Sequence, residues 1–202
     1  MFGFIYSTMI DPLLRDIRVH TPEFSGMKAG DKVLDVCCGT GDQAFHYAKR
    51  GIIATGIDLN PNMIRAAERN KRKQGLSNVS FLVADATNLP FKDDFFDYAS
   101  ISLTLHETEK TVTDTIISEM KRVAKKEGVL IFIDFQVPPP KNLFTYLTKA
   151  IEFIHGQAYF RYLKAYIEQG GLGEILKTNQ LIEEKRDYLK NRLIVIIKAR
   201  NT

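Results

Sequence analysis

The chain has 202 residues, 45% of them apolar and 26% charged, with a formal net charge of +4. Such a composition excludes a disordered chain, which would be too poor in apolar residues to bury a core. The length suits one domain and leaves no room for two large ones, and the mild charge makes no strong demand for an anionic partner.

Two cysteines, Cys37 and Cys38, are adjacent. Neighbours in an extended chain point opposite ways, so a disulfide between them is not expected. No CxxC pair occurs, and His20, His46, His106 and His155 are scattered, so no metal site is expected. A reducing, cytoplasmic compartment fits this pattern. The first six residues lack the features of a signal peptide. The longest apolar runs, 129–133 and 193–197, fall far short of the ~20 residues needed to span a bilayer.

In chain order, apolar runs and helical periodicities alternate. Residues 33–36 read as a strand, 41–50 as a helix and 52–57 as a second strand. Residues 61–73 form a helix, with Asn60 as N-cap and Pro61 at its first position. Strands follow at 79–83 and 96–103, a helix at 111–124 and a strand at 128–135. Apolar runs interleaved with helices predict a parallel sheet joined by right-handed crossovers. Pro138-Pro139-Pro140 ends this rhythm. An aromatic-rich helical region spans 143 to about 168, broken at Gly170-Gly171, and a short helix covers 172–178. Strands at 182–188 and 193–199, joined by a tight turn at Lys190-Asn191, are expected to pair antiparallel.

The segment Val33-Leu34-Asp35-Val36-Cys37-Cys38-Gly39-Thr40-Gly41-Asp42 runs from a strand through a glycine-rich turn into a helix. Glycines there let backbone approach a ligand, and the helix start offers free N–H groups. Asp58, 19 residues after Gly39, closes the second strand. A carboxylate at that place can hold both hydroxyls of a ribose, which predicts a nucleoside ligand. NAD fits this much, through Gly39-x-Gly41-x-x-Ala44. A short-chain oxidoreductase would also need a lysine four residues after Tyr162, where Tyr166 stands.

Further along lie Ala84-Asp85-Ala86, Leu89-Pro90-Phe91, Phe96-Asp97, Leu105-His106 and Glu119-Met120-Lys121-Arg122-Val123. With the glycine loop and Gly56-Ile57-Asp58, these segments resemble the class I S-adenosylmethionine-dependent methyltransferases. The order and spacing agree over roughly residues 31–135. Within that class the chain is similar to the branch of the ubiquinone/menaquinone-biosynthesis methyltransferases (methyltransferase domain type 11). The lead-in Tyr6-Ser7-Thr8-Met9-Ile10-Asp11 resembles that branch more loosely, and residues 136–202 match it poorly.

The resemblance implies an α/β, Rossmann-like three-layer αβα sandwich. Its seven-stranded sheet would be mostly parallel, with an antiparallel last strand. One domain would cover 1–202, with helical caps at about 1–20 and 141–178. The implied cofactor is S-adenosyl-L-methionine, which would give S-adenosyl-L-homocysteine. Cys37, Gly39, Thr40 and Gly41 would form the loop on its methionine part, with Asp35 orienting the loop or the amino group. Asp58 would hold the ribose, and Leu59 and Met63 would lie beside the adenine. Asp85 would bond the adenine amino group and Ala86 line its face. Ser102 and Leu103 would lie near the methyl, and Tyr6 would reach the site from the N-terminus.

His106, after the fourth strand, is the candidate general base; the competing reading is that it lines the pocket or caps the next helix. Asp35 serves equally as a partner for loop amides, and Asp85 as a helix N-cap. Aromatic residues of the 143–168 region, with Phe2, Phe4 and Tyr6, suggest a lid, although ordinary helix core accounts for most of them. The acceptor is expected to be a small molecule, quinone-like or otherwise apolar, and the protein a monomer or homodimer. A nucleic-acid or protein methyltransferase is the rival, as is a cofactor-binding module without turnover. The basic stretches 69–73 and 121–126 read as solvated helix faces rather than a nucleic-acid surface. Ser100-Ile101-Ser102-Leu103 lacks the Asp/Asn-Pro-Pro-aromatic signature of the amino-methylating nucleic-acid enzymes.

Overall fold

Strand sequences that are apolar at consecutive positions need cover on both sides, and β5 shows how they obtain it. The computed structural model describes residues 11–140 and 157–201. In β5 (Ala124–Phe135), Leu130 and Phe132 join a core with Ile116, Met120 and Leu176, while Ile131 and Ile133 join another with Ile17 and Phe24. Both faces are therefore dry, which is why the run carries no polar alternation.

The first described element is α1 (Asp11–Ser25), followed by β1 (Lys32–Val36), α2 (Asp42–Ala48), β2 (Ile53–Asp58), α3 (Pro61–Gln74), β3 (Val79–Val83) and β4 (Phe96–Ser102). A 3₁₀ turn (Leu105–Glu107) leads to α4 (Lys110–Val123) and β5. Then come α5 (Gln157–Glu168), α6 (Gly171–Thr178), β6 (Ile182–Leu189) and β7 (Ile194–Arg200). The sheet has seven strands in the order β3-β2-β1-β4-β5-β7-β6. β1 pairs parallel with both β2 and β4, so the strand order reverses there, and β7 runs antiparallel between β5 and β6. This is the Rossmann-like sandwich expected, with the antiparallel strand where it was placed. At such a reversal the carboxyl ends of neighbouring strands diverge and leave a crevice.

Local signals hold where they were read. The Asn60 side chain accepts the Asn62 amide at 2.9 Å, and Pro61 opens α3. Most boundaries shift by one or two residues, and two features differ by more. β5 starts at Ala124 rather than 128, because the charged stretch Lys125-Lys126-Glu127 falls in a register shift between the Phe96–Ala124 and Tyr98–Val129 pairs. The expected two-residue turn is a loop over 190–193, in which Lys190, Asn191 and Arg192 all take positive φ. The N-terminal cap is in its described part a packed helix, since Ile17 and Phe24 on α1 are buried against β5 and β7. Tyr6 and the first part of the expected 141–178 cap, residues 141–156, lie outside the described residues.

Candidate active site

The glycine loop follows β1 at the reversal point. Its first residue, Cys37, takes φ 56°, a left-handed backbone that costs a side-chain-bearing residue about 1–2 kcal/mol. The turn is secured by neighbours: the Cys38 amide donates to the Ile57 carbonyl at 2.8 Å and the Gly41 amide to the Cys38 carbonyl at 3.0 Å. The two glycines serve different ends. A Cβ on Gly39 would meet nothing within 4 Å, so its backbone faces open space. A Cβ on Gly41 would stand 2.5 Å from the Phe81 ring, so that glycine allows α2 to close on β3.

In front of the loop lies a cavity of about 390 Å³, within the range of small-molecule sites. It gathers eight of the residues singled out in the sequence: Asp35, Cys37, Gly39, Thr40, Asp58, Met63, Ser102 and Leu103. It also holds Leu14, Arg18, Cys38, Gln43, Asn60, Thr104 and Glu107, which the sequence reading did not select. Gly41, Leu59, Asp85, Ala86 and His106 are not among its lining residues. Leu59 is exposed and Ala86 buried in the core. Asp85 is exposed too, and its carboxylate caps its own turn by accepting from the Thr87 amide and hydroxyl.

Asp58 ties two elements together. Its Oδ2 accepts the Gly39 amide at 2.9 Å and its Oδ1 the Asn60 amide at 2.8 Å. Each oxygen retains a lone pair for a further donor. Deeper, Asp35 is buried, with Oδ1 held by the Ser100 hydroxyl at 3.1 Å. Burial pushes its pKa up to about 7, against the Ser100 bond and the nearby Arg18 charge. Its Oδ2, like the buried Oε1 of Gln43, has no hydrogen-bond partner among the described residues. Arg18, brought in by α1, is paired with Asp42 at the start of α2. Burial pushes the Cys37 thiol up to about 12 and Cys38 upward as well, so neither is a ready nucleophile.

His106 sits on the 3₁₀ turn behind the cavity, with both ring nitrogens engaged. Nδ1 lies 2.6 Å from Asp134 at the end of β5, and Nε2 lies 3.4 Å from Glu107. Burial alone would lower its pKa, but the Asp134 charge and hydrogen bond, with Glu107, raise it to about 10. At neutral pH it is an imidazolium, which has no lone pair with which to take a proton. No helix among the described residues is long and apolar enough to cross a membrane, and no cluster of metal-ligating side chains occurs among them.

Comparison with known proteins agrees with this architecture. A family model described as a methyltransferase domain matches residues 27–184. The chain belongs to the methyltransferase domain family. S-adenosylmethionine is the cofactor of its class. The chain is 33% identical over 150 residues to a demethylmenaquinone methyltransferase of Bacillus subtilis, covering 73% of this chain and 58% of the relative. It is 33% identical over 172 residues to a ubiquinone/menaquinone biosynthesis C-methyltransferase of Pseudomonas putida, covering 78% of this chain and 66% of that one. The chain thus spans between half and two thirds of these relatives' lengths. A solved S-adenosylmethionine-dependent methyltransferase from Aquifex aeolicus superposes with a TM-score of 0.71 at 22% identity, covering 92% of this chain and 89% of that one.

The cavity of this methyltransferase domain fits that cofactor chemically. Two buried oxygens without donors, on Asp35 and Gln43, suit an ammonium group. The guanidinium of Arg18 suits a carboxylate. Open backbone at Gly39 and the Asp58 carboxylate suit a ribose, and the Met63 side chain offers an apolar surface.

Proposed function

We propose that the chain binds S-adenosylmethionine in this cavity and methylates a small, hydroxylated, largely apolar aromatic molecule. The observation that carries the reading is the grouping of donor-less Asp35 Oδ2 and Gln43 Oε1 with Arg18, a constellation matched to an amino-acid zwitterion. The acceptor class rests on the names of the relatives, demethylmenaquinone methyltransferases, and on the apolar Leu14 and Leu103 in the wall.

When bound, the sulfonium supplies an electrophilic methyl. The protein's part is then positional. Asp35 and Gln43 hold an ammonium, Arg18 a carboxylate, and Asp58 the sugar while fixing Gly39. Leu103 and Thr104, after β4, shape the space left for the acceptor. Holding a nucleophile in line can lower the barrier by ~7–11 kcal/mol. His106 and Asp134 keep the 3₁₀ turn in place: Asp134 Oδ2 accepts the Leu105 and His106 amides at 3.0 and 3.3 Å.

Calorimetry with S-adenosylmethionine, S-adenosylhomocysteine and NAD tests the reading, on the wild type and on Asp58→Asn. Both sulfur ligands should bind the wild type, NAD should not, and Asp58→Asn should weaken binding by tenfold or more, on the order expected for a lost charged hydrogen bond. No binding of either sulfur ligand, or binding of NAD alone, overturns it.

A further inference from the structure

The wall of the cavity that follows β4 ends in a carboxylate that the cofactor fit does not use. Glu107 closes the 3₁₀ turn and lines the cavity together with Ser102, Leu103 and Thr104. Its side chain is 38% exposed. Among the described residues its one ion-pair partner is His106, whose Nε2 lies 3.4 Å from Oε1. His106 is in turn fixed by Asp134 at 2.6 Å and packed edge-on against Phe135, with ring centroids 4.6 Å apart. Tyr166 of α5 closes the other side, its hydroxyl donating to the Phe135 carbonyl at 2.9 Å. A solvent-facing carboxylate is thus backed by a buried, rigid pair reaching it from β5.

Several other polar groups of the cavity serve the fold or the cofactor fit. Both oxygens of Asp58 hold backbone amides. Asp35 is buried and engaged by Ser100. The Thr104 hydroxyl donates to the Ser102 carbonyl at 3.1 Å. The thiols are shielded by burial. Glu107 Oε2, by contrast, has no hydrogen-bond or ion-pair partner among the described residues, and it stands on the strand end where the acceptor has space.

We propose that Glu107 is a catalytic residue: it accepts the hydrogen of an acceptor hydroxyl and takes that proton during methyl transfer, with His106 and Asp134 as positioning residues behind it. In this step the acceptor O–H bond breaks and the proton passes to Glu107. The electron pair left on the acceptor forms the new bond to the methyl carbon, through oxygen or through the adjacent ring carbon. The C–S bond breaks with its pair going to sulfur. If carbon is methylated, the ring proton then passes to water, the C–H pair restores the aromatic ring, and the proton held on Glu107 returns to the oxygen to give the hydroxyl. A carboxylate is a weak base beside a phenol, but the hydroxyl acidifies as the new bond grows, so transfer in the transition state suffices. The same charge selects for neutral acceptors, since an acceptor bearing its own carboxylate at this place would meet like-charge repulsion.

The inference rests on the cofactor reading above, and the test separates the two. The wild type, Glu107→Gln and Glu107→Asp are loaded with S-adenosylhomocysteine and titrated under nitrogen with 1,4-dihydroxynaphthalene. The wild type should bind the diol, Glu107→Gln should bind it about tenfold more weakly, and Glu107→Asp should fall between. All three should bind S-adenosylhomocysteine within twofold of each other. With S-adenosylmethionine in place, single-turnover methylation of the diol should fall about 100-fold in Glu107→Gln. A wild type that binds S-adenosylhomocysteine but not the diol, or a Glu107→Gln variant with undiminished diol affinity and rate, overturns the role of Glu107 alone. A wild type that binds no S-adenosylhomocysteine overturns the cofactor reading along with it.

Discussion

His106 Nδ1 stands 2.6 Å from Oδ1 of Asp134, and both side chains are buried. One end of the contact is the turn after β4, the other the carboxyl end of β5, so the pair fastens two neighbouring strand ends beside the cavity. Removing one member of a buried ion pair leaves the other charge without compensation. His106→Ala should therefore lower the unfolding free energy by about 3–5 kcal/mol, read from denaturant unfolding at pH 7.

The pair also sets a pH dependence. In the folded chain His106 titrates at about 10, well above the ~6.5 of an unfolded histidine. A raised pKa means that the folded state binds the extra proton, so the stabilisation is complete below ~6.5 and is lost as pH rises through about 10. Unfolding free energies measured from pH 7 to 10 should fall for the wild type relative to His106→Gln, and the two curves should converge at the alkaline end. Parallel curves would contradict the assignment.

Asp35 shifts in the same direction for a different reason. Burial raises its folded pKa to about 7, against the Ser100 bond and the Arg18 charge, from ~3.9 when unfolded. Between those values the folded state holds more protons, so the ligand-free protein loses stability as pH climbs from ~4 to ~7. Asp35→Asn should abolish that loss. An ammonium-bearing ligand needs the ionised carboxylate, so S-adenosylhomocysteine should bind about tenfold more tightly at pH 8 than at pH 6, and Asp35→Asn should flatten the profile. Calorimetry at both pH values checks this.

The two loop glycines should respond differently to alanine. Gly41→Ala places a methyl against the Phe81 ring at φ 82°, and should cost about 1–3 kcal/mol of stability. Adding Phe81→Leu should recover only the steric share. Gly39→Ala meets no protein atom, so it should stay folded at a cost of about 1 kcal/mol yet weaken S-adenosylhomocysteine. Melting curves and calorimetry on the three variants separate the roles.

What could be read in the sequence was what is encoded locally. The glycine loop, the Asn60 cap and the apolar runs of β1, β2 and β3 depend on neighbours a few residues away. The resemblance to a known family added the seven-stranded, mostly parallel sheet with its antiparallel last strand. Arg18, Gln43 and Glu107 escaped because nothing near them in the chain marks a ligand; only the packing of α1 on β5 and β7 and of α2 beside the loop brings the first two to the cavity. Asp134 lies 28 residues from His106, and their pairing exists only once β4 and β5 are in register. Asp85 adds a local detail of the same kind as the Asn60 cap: its Oδ1 accepts the Thr87 amide and hydroxyl and so caps its own turn. Lys125-Lys126-Glu127 concealed the start of β5 because a register shift lets charged residues sit within a strand.

The insertion of β7 between β5 and β6 has a consequence for how the molecule is assembled. β4 precedes β5 in the chain and can pair with one of its flanks as soon as both are made, yet the other flank waits for β7, encoded after α5, α6 and β6. Throughout that interval a nearly continuous aliphatic ribbon, Val129-Leu130-Ile131-Phe132-Ile133, is left with a bare margin, the kind of surface to which foreign strands adhere. That margin is sealed only when β7 slots home, so truncations that remove β7 should yield aggregates rather than a smaller, working enzyme.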